Sequence, residues 1–69
     1  MQEILKERQM LSEIIIGLDL IDAQSLCKLC TIRVLENDGN IIPTTMEVLS
    51  NRINVRVHNG IITKVISTH

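Results

Sequence analysis

The sequence predicts an α+β fold, with one or two helices packed on a small mixed sheet that ends in a C-terminal β-hairpin and carries a long exposed loop. Three observations predict it. An N-terminal stretch places apolar residues at helical spacing, the last third alternates aliphatic and polar residues around an Asn-Gly turn, and a segment between them has no period. The 69 residues suffice for one domain, with 12 Ile, 8 Leu and 5 Val to build its core. A chain of this size buries only about 60% of the surface it exposes when unfolded, so the core is thin.

From Gln2 to about Ile16, Ile4, Leu5, Leu11, Ile14 and Ile15 recur near helical spacing while Glu3, Lys6, Glu7 and Arg8 take the other face. An amphipathic helix follows. The run "EIIIG" can end that helix or open a short strand, since three β-branched neighbours favour the latter, and Gly17 closes either. Asp19 is a predicted N-cap for a second helix that carries Leu20, Ala23 and Cys27 on one face, and Cys30 if it runs that far, and that stops before Thr31. "TIRVLE" alternates as a strand and runs into "NDGN" (Asn37 to Asn40), residues that tolerate positive φ. "RINVRV" and "IITKVIS" alternate on either side of Asn59 and Gly60, the strongest short-range hairpin signal in the chain.

Composition removes several function classes. Net charge is -1, with seven basic and eight acidic residues intermixed, so no basic stripe is available to neutralise phosphates. The chain also has no Phe, Tyr or Trp on which bases could stack, and nucleic acid is not an expected partner. The longest apolar run near the charged start "MQEILKERQM" is Ile14 to Ile16, too short for a signal segment or a membrane span, so a cytosolic protein without membrane contact is expected. "CKLC" (Cys27 to Cys30) has the spacing of half a zinc site or a redox motif, but the only histidines are His58 and His69. Two buried small hydrophobes are the better account, and neither metal nor other cofactor is expected. Asp19/Asp22 and Glu36/Asp38 read as a helix cap and a turn. Ser12, Ser25, Ser50 and Ser67 lack a local His partner, so the chain is not expected to be an enzyme.

That leaves the aperiodic segment from Asp38 to Asn51, with its single Pro43. Long structureless loops are uncommon in small domains and are often functional. The residues here, "TMEVLSNRINVRV" followed by "NGIITKV", resemble the potato inhibitor I type of serine-protease inhibitor, including bacterial relatives that read Thr-Met-Asp/Glu, a few residues, Arg-Leu-Asn-Val, an acidic turn, Gly-x-Ile and a final strand. The similarity spans Thr45 to Val65. Upstream, Gly17, Asp19 and Ala23 in "GLDLIDAQSL" resemble the glycine, cap and helix alanine of that family, and "IRVL" resembles its first long strand.

The resemblance implies residues 17–69 as an inhibitor domain, with residues 1–16 as a helical extension. It further implies a loop, Thr44, Thr45, Met46, Glu47 and Val48, that lies in the active site of a subtilisin-like or chymotrypsin-like serine protease as a substrate does. Met46 would fill the primary specificity pocket, and the reactive bond would join Met46 to Glu47. An unbranched apolar side chain suits such a pocket.

Physical chemistry supplies the supports. A flexible loop loses binding energy to ordering, so it needs anchors in the scaffold. Arg52 has the donor fork to hold Glu47 and nearby carbonyls. Asn54, one alternate residue further on the same face, can donate to the same loop, although an outward-facing strand residue is its plainer reading. Pro43 restricts the start of the loop, and Thr44 and Thr45 favour extended backbone.

A second reading comes from another class. The N-terminal helix has no counterpart in the inhibitor domain, so its stripe of Ile4, Leu5 and Leu11 must be buried against the domain or against another copy, and a thin-cored domain gains much from oligomerising. This points to self-association through that helix, and to a small homo-oligomeric binding module, of phage or mobile-element type, that sequesters a small ligand or a host protein.

Overall fold

Two tight turns shape the sheet, and each uses two residues with positive φ. Asp38 (φ 52°) and Gly39 (φ 85°) form the first, and Asn59 (φ 51°) and Gly60 (φ 78°) the second. Positive φ at both central positions gives a turn whose twist matches that of paired strands. The computed structural model describes residues 2–69. Around the turns it places β1 (Thr31–Asn37), β2 (Asn40–Ile41), β3 (Arg52–His58) and β4 (Ile61–Ser67), preceded by α1 (Gln2–Ile14) and α2 (Leu20–Leu26). The molecule is a small α+β domain.

The sheet order is β2-β1-β3-β4. β1 runs antiparallel to β2 but parallel to β3, with Ile32 opposite Ile53 and Val34 opposite Val55. β3 and β4 form the C-terminal hairpin. A parallel pair needs a crossover of a dozen or more residues, usually built on a helix. Here the crossover is β2 and a strandless, helix-free stretch, so the chain between the central strands lies in the open. The "NDGN" turn thus opens a short strand, and the free loop is narrower than the aperiodic segment, running from Ile42 to Asn51.

Ile53, Val55 and Val57 of β3, with Ile62 of β4, meet Leu11, Ile15, Ala23 and Cys30 in one core. Ile4, Leu18, Leu20, Cys27, Ile32, Val34 and Val65 pack around it. The helix before Gly17 therefore finds its partner within its own chain. Leu11 is fully buried and Ile4 packs against the core, while Leu5 stays exposed, so of the two covers open to this stripe the domain itself supplies one. The heptad-like pattern of an amphipathic helix is the same whether a sheet or a second copy covers it.

Polar bonds fix α1 further. The Glu7 carboxylate accepts from the backbone N–H groups of Lys28 (3.1 Å), Leu29 (2.7 Å) and Cys30 (2.7 Å), donors of the link between α2 and β1. Desolvation pushes the Glu7 carboxyl up, but these donors together outweigh it and hold the group below the usual carboxylate range. α1 stops at Ile14, so the "EIIIG" run forms no strand, and Gly17 to Leu20 lies along β4 through Gly17 N–H to Ile62 O (2.7 Å) and Leu20 N–H to Gly60 O (2.8 Å). Asp19 occupies the N-cap position of α2 but makes no side-chain cap bond, and its backbone bridges to Ile61 instead. α2 ends at Leu26, which leaves Cys27 at its C-cap and Cys30 just ahead of β1.

Candidate functional site

The loop from Ile42 to Asn51 starts and ends on firm backbone anchors. Ile42 N–H donates to Leu35 O (2.9 Å), and Thr31 N–H donates to Asn51 O (2.8 Å). Arg8 of α1 reaches Ser50 O at 2.8 Å, so the first helix braces the loop's exit. The middle of the loop has a different support. An open hollow of about 340 Å³ lined by Arg33, Leu35, His69 and the loop residues Thr44 to Val48 separates it from close packing. Side chains from the sheet span that gap.

Two arginines do so from adjacent strands. Arg52, at the head of β3, donates through Nη2 to Glu47 Oε1 (3.0 Å) and through Nη1 to Glu47 O (3.4 Å). Arg33, in β1, donates through Nη1 to Thr45 O (3.3 Å). Thr45 Oγ1 adds a bond to Glu47 Oε1 (3.3 Å), which ties the two residues to each other over Met46. The Arg52 guanidinium foremost, then the Thr45 hydroxyl, hold the Glu47 carboxyl below its usual range. Between the two clamped carbonyls the Met46 side chain is 95% exposed.

The chain matches no family model, no curated protein and no solved structure. The reading of the site therefore rests on its own geometry.

Asn54 does not donate to the loop, which corrects the role its position suggested, and it does not face solvent. It is fully buried among Arg33 of β1, Ser67 at the end of β4 and the backbone of His69. Its Nδ2 donates to Ser67 Oγ (3.0 Å) and His69 O (2.9 Å), and its Oδ1 accepts from Arg33 Nε (2.8 Å). It positions the arginine that holds the loop. Arg33 went unnoticed in the sequence because a polar residue alternating in "TIRVLE" looks like a solvated strand position. The available signal was its parity: Arg33 shares a face with Leu35, and that face lies under the loop. Thr44 and Val48 are exposed and carry no side-chain bond to the scaffold. Cys30 sits in the core and Cys27 is half-buried beside it, away from the loop.

The arrangement presents a segment outside helix and strand with a bare apolar side chain at its middle, and it holds the carbonyl of the residue before Met46 and that of the residue after it. Chemically it offers shape and hydrogen-bonding groups to a partner.

Proposed function

We propose that this protein is a serine-protease inhibitor that inserts Thr44 to Val48 into the active site in the manner of a substrate, with Met46 filling the primary pocket of a subtilisin-like or chymotrypsin-like enzyme. One observation carries the reading. Met46 projects into solvent between two residues, Thr45 and Glu47, whose carbonyls are each held by an arginine from the sheet. An exposed Met on a loose loop would be an accident of the surface, whereas one on a loop braced at both flanks is pre-organised for binding. The resemblance of "TMEVLSNRINVRV" to the potato inhibitor I family supports the same reading. Two free thiols accord with a reducing compartment such as the cytosol.

The inhibitor acts by slow turnover. If the protease cuts Met46–Glu47, Arg33 retains the Thr45 side and Arg52 the Glu47 side, so the new ends stay near each other and the bond re-forms. The test is titration against both enzyme classes with mass analysis of the products. Tight stoichiometric inhibition is expected. No inhibition by either class, with no cut after Met46, removes the reading.

Self-association is a second reading, favoured by one observation. Met10 on α1 and Leu26 and Leu29 at the α2–β1 link are exposed together along a groove, an apolar strip that a second copy would cover. Sedimentation of the free protein decides it, since a monomer at all concentrations excludes it.

A further inference from the structure

The loop's central contact is a bare thioether, whereas the two cysteine sulfurs are partly or wholly buried. We propose that Met46 is an oxidation switch: a peroxide converts its thioether to the sulfoxide and turns protease binding off, and a thiol-dependent reduction turns it on again. The switch rests on the inhibitor reading and adds its regulation.

Among the described residues the sulfurs are those of Met10, Cys27, Cys30 and Met46. Met46 is 95% exposed and Met10 is 52% exposed. The cysteines are less available. Cys30 is 5% exposed, and both thiols point at backbone carbonyls, Cys27 at Ala23 O and Cys30 at Ile4 O. Burial first, then the Glu7 carboxylate, push the Cys30 thiol up to about 11, and burial raises Cys27 too. The thiolate is the form that peroxides attack, and these two are kept as thiols. With no Tyr or Trp in the chain, Met46 is the most accessible oxidisable side chain described.

The chemistry closes without a further reagent. A sulfur lone pair attacks one oxygen of hydrogen peroxide, the S–O bond forms as the O–O bond breaks and hydroxide leaves, and the proton of the new S–OH group passes to that hydroxide to give water; sulfur is oxidised by two electrons and the peroxide is reduced by two. Reduction by two thiols returns the thioether and yields a disulfide and water. The bonds that shape the loop, from Arg33, Arg52 and Ile42, involve no atom of the Met46 side chain, so the loop keeps its form. What changes is the group offered to the pocket. A sulfoxide oxygen buried without a donor costs enough to weaken binding by about tenfold to a hundredfold.

The experiment treats the full-length protein with graded hydrogen peroxide and follows each sulfur by peptide mass. In parallel it measures inhibition of subtilisin before oxidation, after it, and after repair with methionine sulfoxide reductase. A Met10→Leu variant runs alongside, since Met10 lies on α1 outside the loop. Met46 is expected to oxidise before Met10 and both cysteines. Inhibition is expected to fall at least tenfold in step with Met46 sulfoxide, equally in Met10→Leu, and to return on repair. Earlier oxidation of Met10 or a cysteine, or full inhibition by protein carrying Met46 sulfoxide, overturns the switch and leaves the inhibitor reading standing. Absence of inhibition before any peroxide removes the inhibitor reading, and the switch with it.

Discussion

Arg33 and Asn54 face each other in register across the parallel β1–β3 pair, and Arg33 Nε donates to Asn54 Oδ1 at 2.8 Å. Asn54 spends both amide donors on Ser67 and His69, so its oxygen is left to the arginine. A polar chain thus runs from the end of β4, through β3 and β1, to the carbonyl of Thr45. Such a chain is buried at its middle and fully satisfied, the condition under which polar networks rigidify a structure. It gives the loop a second clamp that is independent of Arg52.

Two clamps predict two defects of one kind. On the inhibitor reading, Arg33→Ala and Arg52→Ala should each be cut between Met46 and Glu47 as a substrate is. Glu47 is more than half exposed, so solvent screens the Arg52 ion pair and its direct contribution to stability is small. The larger effect is on loop order. Turnover is expected to rise roughly tenfold in each variant, the scale of one or two lost hydrogen bonds, read as accumulation of the cut chain by mass. A variant that stays intact through long incubation with subtilisin shows that its arginine is dispensable.

Leu11→Ala tests whether α1 belongs to the domain. Leu11 is fully buried beside Ile15 and Ile53. Truncating it should cost about 2 to 5 kcal/mol, the range for a large core residue, and in a thin core that is much of the total. Thermal and urea unfolding measure it. If α1 is an appendage, the midpoint will not move.

These contrasts mark what a sequence can carry. The β3–β4 hairpin was legible because Asn59-Gly60 is a local signal with a backbone cause, and the loop because Ile42 to Asn51 matches no period. The α1 stripe was legible as a face, but its cover was not, since Ile53 and Val55 lie some forty residues away. Arg33 was hidden for the same reason: its use depends on β1 pairing with β3, a long-range register no local pattern announces. Asp19 was legible as a position, since it is the N-cap of α2 with extended backbone, but not as a bond, since its side chain makes no cap contact.

Glu7 predicts a pH dependence of stability. Its carboxyl is held below the ordinary 4.5, so its contribution is present above that value and is lost as pH falls through the lower folded value. Glu7→Gln should lower stability at neutral pH and converge on the wild type in acid. Urea midpoints measured across pH 3 to 7 check this. Parallel curves for the two proteins would show that the carboxylate does not carry the effect.

Glu47 predicts a second one, confined to the loop. Its carboxyl is also lowered, by Arg52 first, so protonation below the carboxylate range should release the Arg52 bond while the core persists. Amide relaxation of Thr44 to Val48 should report faster motion in acid, with β3 and β4 unchanged. Uniform loosening of loop and sheet together would speak against a local clamp.

The inhibitor reading makes its sharpest demand on Met46 itself. Its side chain is almost wholly in solvent and touches nothing the fold needs, so Met46→Gly should leave the unfolding midpoint within the small range of surface substitutions. Affinity for the protease should respond very differently. As the central anchor of the interface, Met46 should contribute about 2 to 4 kcal/mol, so its loss weakens inhibition by roughly thirty-fold to a thousand-fold. The comparison is made on one preparation, with inhibition constants against subtilisin-like and chymotrypsin-like enzymes set beside thermal melts. An unchanged inhibition constant would place the contact elsewhere on the surface. A lowered melting point would mean that the side chain serves the fold, and a loop built to enter another protein's pocket leaves it no such duty.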